Sequence, residues 1–212
     1  MAEEPSAKRH HAETSDKRSN LVDINVPGEK RDYTRTLKGV ELHGKETLEI
    51  VCTSEPDKAD EVISGLWRKL GDRIRGIIGV GVHYTNEDEP PQMAAVLQLC
   101  VDELCLVYHI AAATKWPKRL TDMLQHDKLF TFAGFSIESD KEKLKLSGME
   151  INPTSSSTFS ASGEFHTPKK RVDAYAAYKS WFMIDYITDG SEFAKEREAN
   201  NFYDHPYCPF TG

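Results

Sequence analysis

Three strand-length apolar runs follow one another between Ile77 and Ile110, and they constrain the fold more than any other feature of the sequence. They read IIGVGVHYT, QMAAVLQLCV and LCLVYHI, and a polar loop, NEDEPP, separates the first from the second. Only Asp102 and Glu103 lie between the second and the third, which is the length of a tight hairpin turn. Runs that are apolar on both faces are typical of the middle of a sheet covered by helices on both sides. We therefore expect an α/β domain with these strands at its centre.

A strand and a helix are predicted immediately before these runs. The segment TLEIVCT, from Thr47 to Thr53, has strand composition, and a short strand is also expected near Thr36 to Leu42. Ser54 can cap a helix, Pro56 suits the first helical turn, and Gly71 can end the helix. Spacings of three and four residues predict one buried helical face, formed by Ala59, Val62, Ile63, Leu66, Trp67 and Leu70.

The sequence after Ile110 continues to alternate between helix and strand patterns. The predicted elements are a short helix through Leu120, Met123 and Leu124, a turn at Asp127 and Lys128, a strand from Leu129 to Phe135, a helix from Ser139 toward Leu146, a short strand from Met149 to Ile151, a loop from Asn152 to Lys170 and a helix from Arg171 to Ile187. The form S-x-x-E at Ser139 predicts a capping box at the start of its helix.

Composition places the chain among soluble globular proteins of a reducing compartment. Its 212 residues carry a formal net charge of −7, which gives the whole chain no general attraction to nucleic acid. The cysteines, Cys52, Cys100, Cys105 and Cys208, have no CxxC spacing, so we expect no zinc site. No secretory signal or membrane-length apolar run is present, and we expect a cytoplasmic or nuclear protein. Residues 1–20 have almost no large apolar side chain and are predicted to be a disordered leader.

Five segments, in order, carry a resemblance to a known family: IIGVGVHYT, AAVLQLCV, CLVYHI, FTFAGFSIESDKEKL and YAAYKSW. Together they resemble the plant 3′–5′ exonuclease domain proteins related to the Werner-syndrome exonuclease. The resemblance implies an RNase H-like fold, a single α/β domain with a mixed sheet and helices on both faces. It covers about residues 47–188, which leaves an extended arm at residues 21–46 and a tail at residues 189–212.

The family's chemistry depends on carboxylates that this sequence lacks in part. In the family, two divalent cations activate a water and stabilise the leaving oxygen of a phosphodiester. The resemblance puts the family's first Asp-x-Glu pair at Gly81 and His83 and its third carboxylate at Asp140. Glycine supplies no ligand, and a neutral imidazole is a poor replacement for a carboxylate at a magnesium site. An acid in the first turn of a helix explains Asp140 equally well, and His83 also fits a hydrogen-bonded core residue, a general base or a transition-metal ligand.

The family's last motif, Tyr-x-x-x-Asp, aligns with this sequence in two registers. In the first, Tyr175 matches the tyrosine and Lys179 stands at the aspartate position. In the second, Asp173 matches the aspartate and Lys169 stands at the tyrosine position. We prefer the first register because Trp181 then also matches an aromatic position. In either register the carboxylate set is incomplete.

The leading hypothesis is a catalytically degenerate exonuclease-like domain that binds a partner, with protein favoured over nucleic acid by the acidic balance. No membrane association is expected, the oligomeric state stays open, and no cofactor is required. The alternatives are a residual nuclease that uses Asp140, Asp173 and His83 with magnesium or manganese, and a structural adaptor whose aromatic tail makes the contact.

Any nucleic-acid binding is expected to be weak and salt-dependent, because only local basic clusters, such as Lys169, Lys170 and Arg171, offset the net negative charge.

Overall fold

The computed structural model describes residues 21–159, except for 43–45, 72–75, 87, 89, 127–129, 136 and 153–155. The predicted leader, the turn at Asp127 and Lys128, most of the predicted loop and the last predicted helix therefore lie outside the described residues. The domain bounds that the sequence suggests stay a prediction.

The described residues form one mixed sheet with three α-helices. The strands are β1 (Thr34–Leu42), β2 (Glu46–Thr53), β3 (Gly76–Tyr84), β4 (Ala94–Val101), β5 (Leu104–Tyr108), β6 (Phe130–Phe135) and β7 (Ser156–Phe159), and the helices are α1 (Pro56–Leu70), α2 (Lys118–Gln125) and α3 (Ile137–Leu146). The seven strands lie in the order β1-β2-β5-β4-β3-β6-β7. No helix in the described part of the chain is both long and apolar enough to span a bilayer.

Strand order and direction define the fold class. Strands β3, β4 and β5 form an antiparallel meander, and β6 lies beside β3 and parallel to it, followed by a parallel β7. This 3-2-1-4-5 order, counted from β3 as the first strand, is the RNase H-like arrangement that the sequence predicted. On the other side of the meander, β2 pairs in parallel with β5, and β1 pairs antiparallel with β2. The predicted central position of β3 is confirmed, since β4 and β6 flank it.

The predicted hairpin turn between β4 and β5 is confirmed. Val101 pairs with Leu104, so only Asp102 and Glu103 lie in the turn. Asp102 adopts a φ of 51°, the left-handed region that aspartate tolerates better than most residues. The turn therefore fixes the register of the two strands that follow the central one.

The three described helices all pack on one face of the sheet. Ile63 of α1, Leu120 of α2 and Leu144 of α3 join one apolar cluster with Val80 and Leu99 of the central strands, and none of these side chains is more than 1% exposed. The predicted face of α1 is confirmed, except that its tryptophan is only partly buried.

The opposite face of the sheet carries a second, smaller apolar cluster. It consists of Val40, Leu48, Ile50, Cys52, Cys100, Cys105 and Val107. No helix among the described residues packs on it. The helix that the sequence predicts from Arg171 to Ile187 lies outside the described residues, so helices on both faces stay a prediction.

Ser54 does not cap α1, contrary to the sequence prediction. The capping position belongs to Glu55, which makes no side-chain capping hydrogen bond. The Ser54 hydroxyl instead donates to the carbonyl of Arg31 at 2.5 Å and accepts the N–H of Tyr33 at 3.0 Å. These partners belong to the arm, so a tertiary contact takes the place of the local cap.

The start of α3 and the elements after it also differ from the prediction. Helix α3 begins at Ile137, which is fully buried, two residues before the predicted capping serine, Ser139. Met149 and Ile151 are buried in the helix-side core, but the predicted strand is not formed, since this segment pairs with no described strand. A strand, β7, instead lies within the predicted loop and pairs in parallel with β6.

Candidate functional site on the central strand

Gly81 and His83 lie on the face of the sheet opposite the three described helices. In the antiparallel pairing of β3 with β4, Gly81 is opposite Gln98 and His83 is opposite Val96. Residues directly opposite each other in such a pair project from the same face. Val96 packs against the second cluster, whereas the alternate residues Val80 and Val82 contact the helix-side core. The two positions that the resemblance singled out therefore share one face, as a period of two requires.

Gln98 is a fully buried amide on the same face as Gly81. Its side chain is 0% exposed, and neither its Oε1 nor its Nε2 has a hydrogen-bond partner within the described residues. A buried amide without partners costs free energy, so such groups are rare in protein interiors. The sequence carried a signal for this residue, because Gln98 is the one polar side chain in the run AAVLQLCV.

Asp140 lies in the first turn of α3 and is hydrogen-bonded to the end of the central strand. Asp140 is only 4% exposed, and its Oδ1 accepts a hydrogen bond from the phenol of Tyr84 at 2.7 Å. Burial raises the pKa of Asp140 to about 7, and the hydrogen bond from Tyr84 opposes that rise. At neutral pH the carboxyl is therefore protonated in a large fraction of molecules.

Tyr84 has a second set of contacts along α3. Its hydroxyl also lies 3.3 Å from the Oγ of Ser139, and the Nζ of Lys143 lies 5.6 Å from the centre of its ring. Burial raises the pKa of Tyr84 to about 12, the bond to Ser139 lowers it, and the bond to Asp140 and the charge of that carboxyl raise it. The tyrosine therefore remains a hydrogen-bond donor throughout the physiological range. Tyr84 is not among the site residues predicted from the sequence, although it directly follows His83.

The described residues do not assemble the donor set that a magnesium or manganese pair requires. Gly81 offers no side chain, His83 offers nitrogen in place of oxygen, and the Oδ1 of Asp140 is bonded to a phenol. No group of three or more His, Cys, Asp or Glu side chains in the described part of the chain is placed to hold a metal ion. The described residues therefore do not fit the cation pair that the resemblance implies.

The remaining candidate residues lie outside the described part of the chain. They are Asp173, Tyr175 and Lys179 of the last motif, and Lys169, Lys170 and Arg171 of the basic cluster. Their roles stay predictions.

Comparison with known proteins gives similarities only among solved structures. No protein-family model matches this chain, and no curated protein matches it. A structure of the EXD2 exonuclease domain soaked in Mn has a TM-score of 0.45 at 15% identity, covering 74% of this chain and 99% of that chain. A structure of the same domain soaked in Mg and GMP has a TM-score of 0.43 at 19% identity, covering 51% of this chain and 55% of that chain. In that second match, this chain spans about half the length of the EXD2 domain.

The fold class does not depend on these similarities. It follows from the order and direction of β3 to β7, and it defines the protein as an RNase H-like α/β domain.

Proposed function

We propose that this protein is a catalytically degenerate 3′–5′ exonuclease-like domain that serves as a binding module, with another protein as its partner. The observation that carries the proposal is the central strand, which presents Gly81 and His83 where the family resemblance expects two carboxylates. Metal-dependent phosphodiester cleavage relies on carboxylates that bind hard cations and offset their charge. Because the central strand lacks both of its carboxylates, half of the family's carboxylate set is missing.

The environment of Asp140 supports the same proposal. A carboxyl group that binds a divalent cation is ionised, with its oxygens directed at the metal. Asp140 is buried, its pKa is raised to about 7, and Tyr84 donates to one of its oxygens. This arrangement suits a structural link between strand and helix better than a metal ligand.

Charge supports a protein partner. The formal net charge of −7 opposes the approach of a polyanion, since non-specific nucleic-acid binding depends on cationic contacts with phosphates. We also propose a cytoplasmic or nuclear location, in keeping with Cys52, Cys100 and Cys105, which are buried and form no disulfide with one another in the described part of the chain.

Incubation with labelled single- and double-stranded DNA and RNA tests the proposal, in magnesium and in manganese, with digestion and binding both measured. We expect no digestion under conditions where the EXD2 exonuclease domain, as a positive control, degrades its substrates. The matched control is Asp140→Asn, which keeps the size of the side chain and an acceptor for Tyr84 but cannot be an anionic ligand. Digestion by the wild-type chain that Asp140→Asn abolishes would overturn the proposal in favour of a residual nuclease.

A further inference from the structure

A cleft of about 670 Å³ lies between α1 and α2 on the outer surface of the helix layer, away from the central-strand site. Six described residues line it: Ser64, Trp67, Arg68, Lys118, Arg119 and Asp122. Its volume lies within the range of ordinary ligand sites. Both helices pack their other faces into the core, so the walls of the cleft are fixed by the fold.

Trp67 forms a rigid apolar wall of this cleft. Its ring packs edge-on against Phe130, with ring centroids 4.8 Å apart and an angle of 86° between the planes. The other apolar residues of the same helix face, Ile63, Leu66 and Leu70, are at most 2% exposed, whereas Trp67 is only partly buried. A tryptophan held in one orientation with part of its surface open offers apolar contact at a small entropic cost.

The charges around Trp67 have the opposite sign to the chain as a whole. Lys118 pairs with Asp122 at 2.8 Å, so these two charges largely cancel. Arg68 and Arg119 are both exposed, and neither forms an ion pair within the described residues. The nearby carboxylate of Asp60 accepts the backbone N–H of Arg119 at 2.8 Å at the start of α2. Burial raises the pKa of Asp60 and the positive charge of Arg119 lowers it, so this carboxylate offsets part of the charge of Arg119. The lining of the cleft therefore keeps a net positive charge, carried by Arg68 and Arg119, in a protein of net charge −7.

We propose that this cleft is a docking site for a short acidic peptide segment of a partner protein, with one apolar side chain of the peptide against Trp67. Its carboxylates pair with Arg68 and Arg119, because a guanidinium group binds a carboxylate through two parallel hydrogen bonds. This inference identifies where on the surface the protein partner proposed above would bind, and it rests on that part of the proposed function.

The surroundings of the cleft favour a short peptide over a nucleic-acid strand. Asp57, Glu61, Ser64 and Arg68 recur at spacings of four, three and four along α1, so they form one stripe on the helix. Both Asp57 and Glu61 are exposed. A phosphate backbone that followed this stripe out of the cleft would meet these acids, whereas a segment with two or three carboxylates ends before them.

Fluorescence anisotropy with a labelled peptide tests this site in the full-length chain. The probe is the terminally blocked peptide SELFES, which carries two carboxylates, and two comparison probes are SKLFKS, which keeps the apolar pair and reverses the charge, and an oligothymidylate of similar length. We expect saturable binding of the acidic peptide that weakens as salt is added, with weaker binding of both comparison probes. Tighter binding of the oligothymidylate, or no saturable binding of the acidic peptide, would overturn the proposal.

Two double variants separate the cleft from general charge. Arg68→Glu with Arg119→Glu changes the cleft, and Lys38→Glu with Lys145→Glu makes the same change in net charge at exposed lysines elsewhere. The first is expected to weaken peptide binding at least about tenfold and the second less than about twofold. An equal loss in the two variants would contradict a specific site. The substitutions are on the surface, so matching melting curves confirm that both variants are folded.

Trp67→Phe tests the apolar wall without emptying the core. The smaller ring keeps an aromatic contact with Phe130 but presents less surface in the cleft, so we expect peptide binding to weaken while its salt dependence is retained. Unchanged affinity would show that the peptide does not reach Trp67 and would contradict the proposed pose. None of these results depends on nuclease activity, so failure of the docking site leaves the test of the proposed function intact.

Discussion

The phenol of Tyr84 donates a 2.7 Å hydrogen bond to the Oδ1 of Asp140, and the two residues are 56 positions apart in the sequence. The bond joins the last residue of β3 to the first turn of α3. Because Asp140 is 4% exposed, this contact and the burial together decide its state of ionisation. It also fixes the helix against the end of the central strand.

We expect Asp140→Asn to remove a pH-dependent loss of stability. Burial raises the folded-state pKa of Asp140 from 3.8 to about 7, so the folded protein holds this proton more tightly than the unfolded chain. The contribution of this group to stability is therefore complete below about pH 4 and is lost as the pH rises toward 7. In urea unfolding, the free energy of unfolding of the variant relative to wild type should rise between about pH 4 and about pH 7, by on the order of a few kcal/mol, and stay constant above that range.

Tyr84→Phe is the companion variant for this prediction. It removes the hydrogen bond that lowers the pKa of Asp140, so that pKa should rise further, as followed by the ¹³C signal of the carboxyl group. A free-energy difference between Asp140→Asn and wild type that does not vary with pH would contradict the assignment.

We expect Ser147→Ala to destabilise the domain by about 1–3 kcal/mol in urea unfolding. The Ser147 hydroxyl accepts the backbone N–H of Ala94 at 2.7 Å and donates to the carbonyl of Lys143 at 2.9 Å. Both Ser147 and Ala94 are buried, so the substitution leaves an N–H group without a partner. The control is Ser64→Ala, whose hydroxyl bonds to a carbonyl of its own helix and whose loss should cost less than about 0.5 kcal/mol. Equal losses in the two variants would contradict the proposed role of Ser147.

Gly134→Ala and Gly65→Ala should have opposite effects on stability, although the chemical change is the same. A Cβ at Gly134 would lie 2.8 Å from the carbonyl oxygen of Val80, which belongs to the neighbouring strand and cannot move by itself. We expect a loss of about 1–3 kcal/mol for this variant. A Cβ at Gly65 would meet the Cδ2 of Leu104 at 3.0 Å, the end of a flexible side chain, and alanine favours the helix. Melting temperatures that fall by the same amount in both variants would contradict this prediction. They would show that the close approach of β6 to β3 at Gly134 does not determine the loss of stability.

The parts of the fold that sequence predicted correctly are those that local patterns determine. Strands β3 to β5 and their turn follow from apolar runs and from the position of Asp102, and the buried face of α1 follows from helical spacing. The pairing of β7 was not predictable in this way. Its segment, SSTF, is rich in small polar residues, and its strand conformation depends on the neighbouring β6.

The candidate site was only partly accessible from sequence because its contacts join distant residues. The resemblance located Asp140 but could not show that Tyr84 holds it. Serine is a residue type that often caps a helix. The hydroxyl of Ser54 instead accepts the backbone N–H of Tyr33, 21 positions earlier, and does not cap α1. Hydrogen bonds of this kind depend on tertiary geometry, which no local spacing encodes.

The last prediction concerns catalysis and the carboxylate set. Restoring Gly81→Asp and His83→Glu together should not produce metal-dependent exonuclease activity, whereas adding Lys179→Asp should. In the preferred register, Lys179 stands at a ligand position, and an ammonium group beside a divalent cation costs on the order of several kcal/mol at an effective dielectric constant of about 20. Lys179→Ala in the same background is the matched control, since it removes the charge without supplying a ligand and should leave the protein inactive. Release of nucleotides from end-labelled DNA and RNA in magnesium and manganese measures all of these variants. Activity that appears with Lys169→Tyr, and not with Lys179→Asp, would establish the other register, in which Asp173 is the ligand, and digestion by the wild-type chain that Asp140→Ala abolishes would refute the prediction.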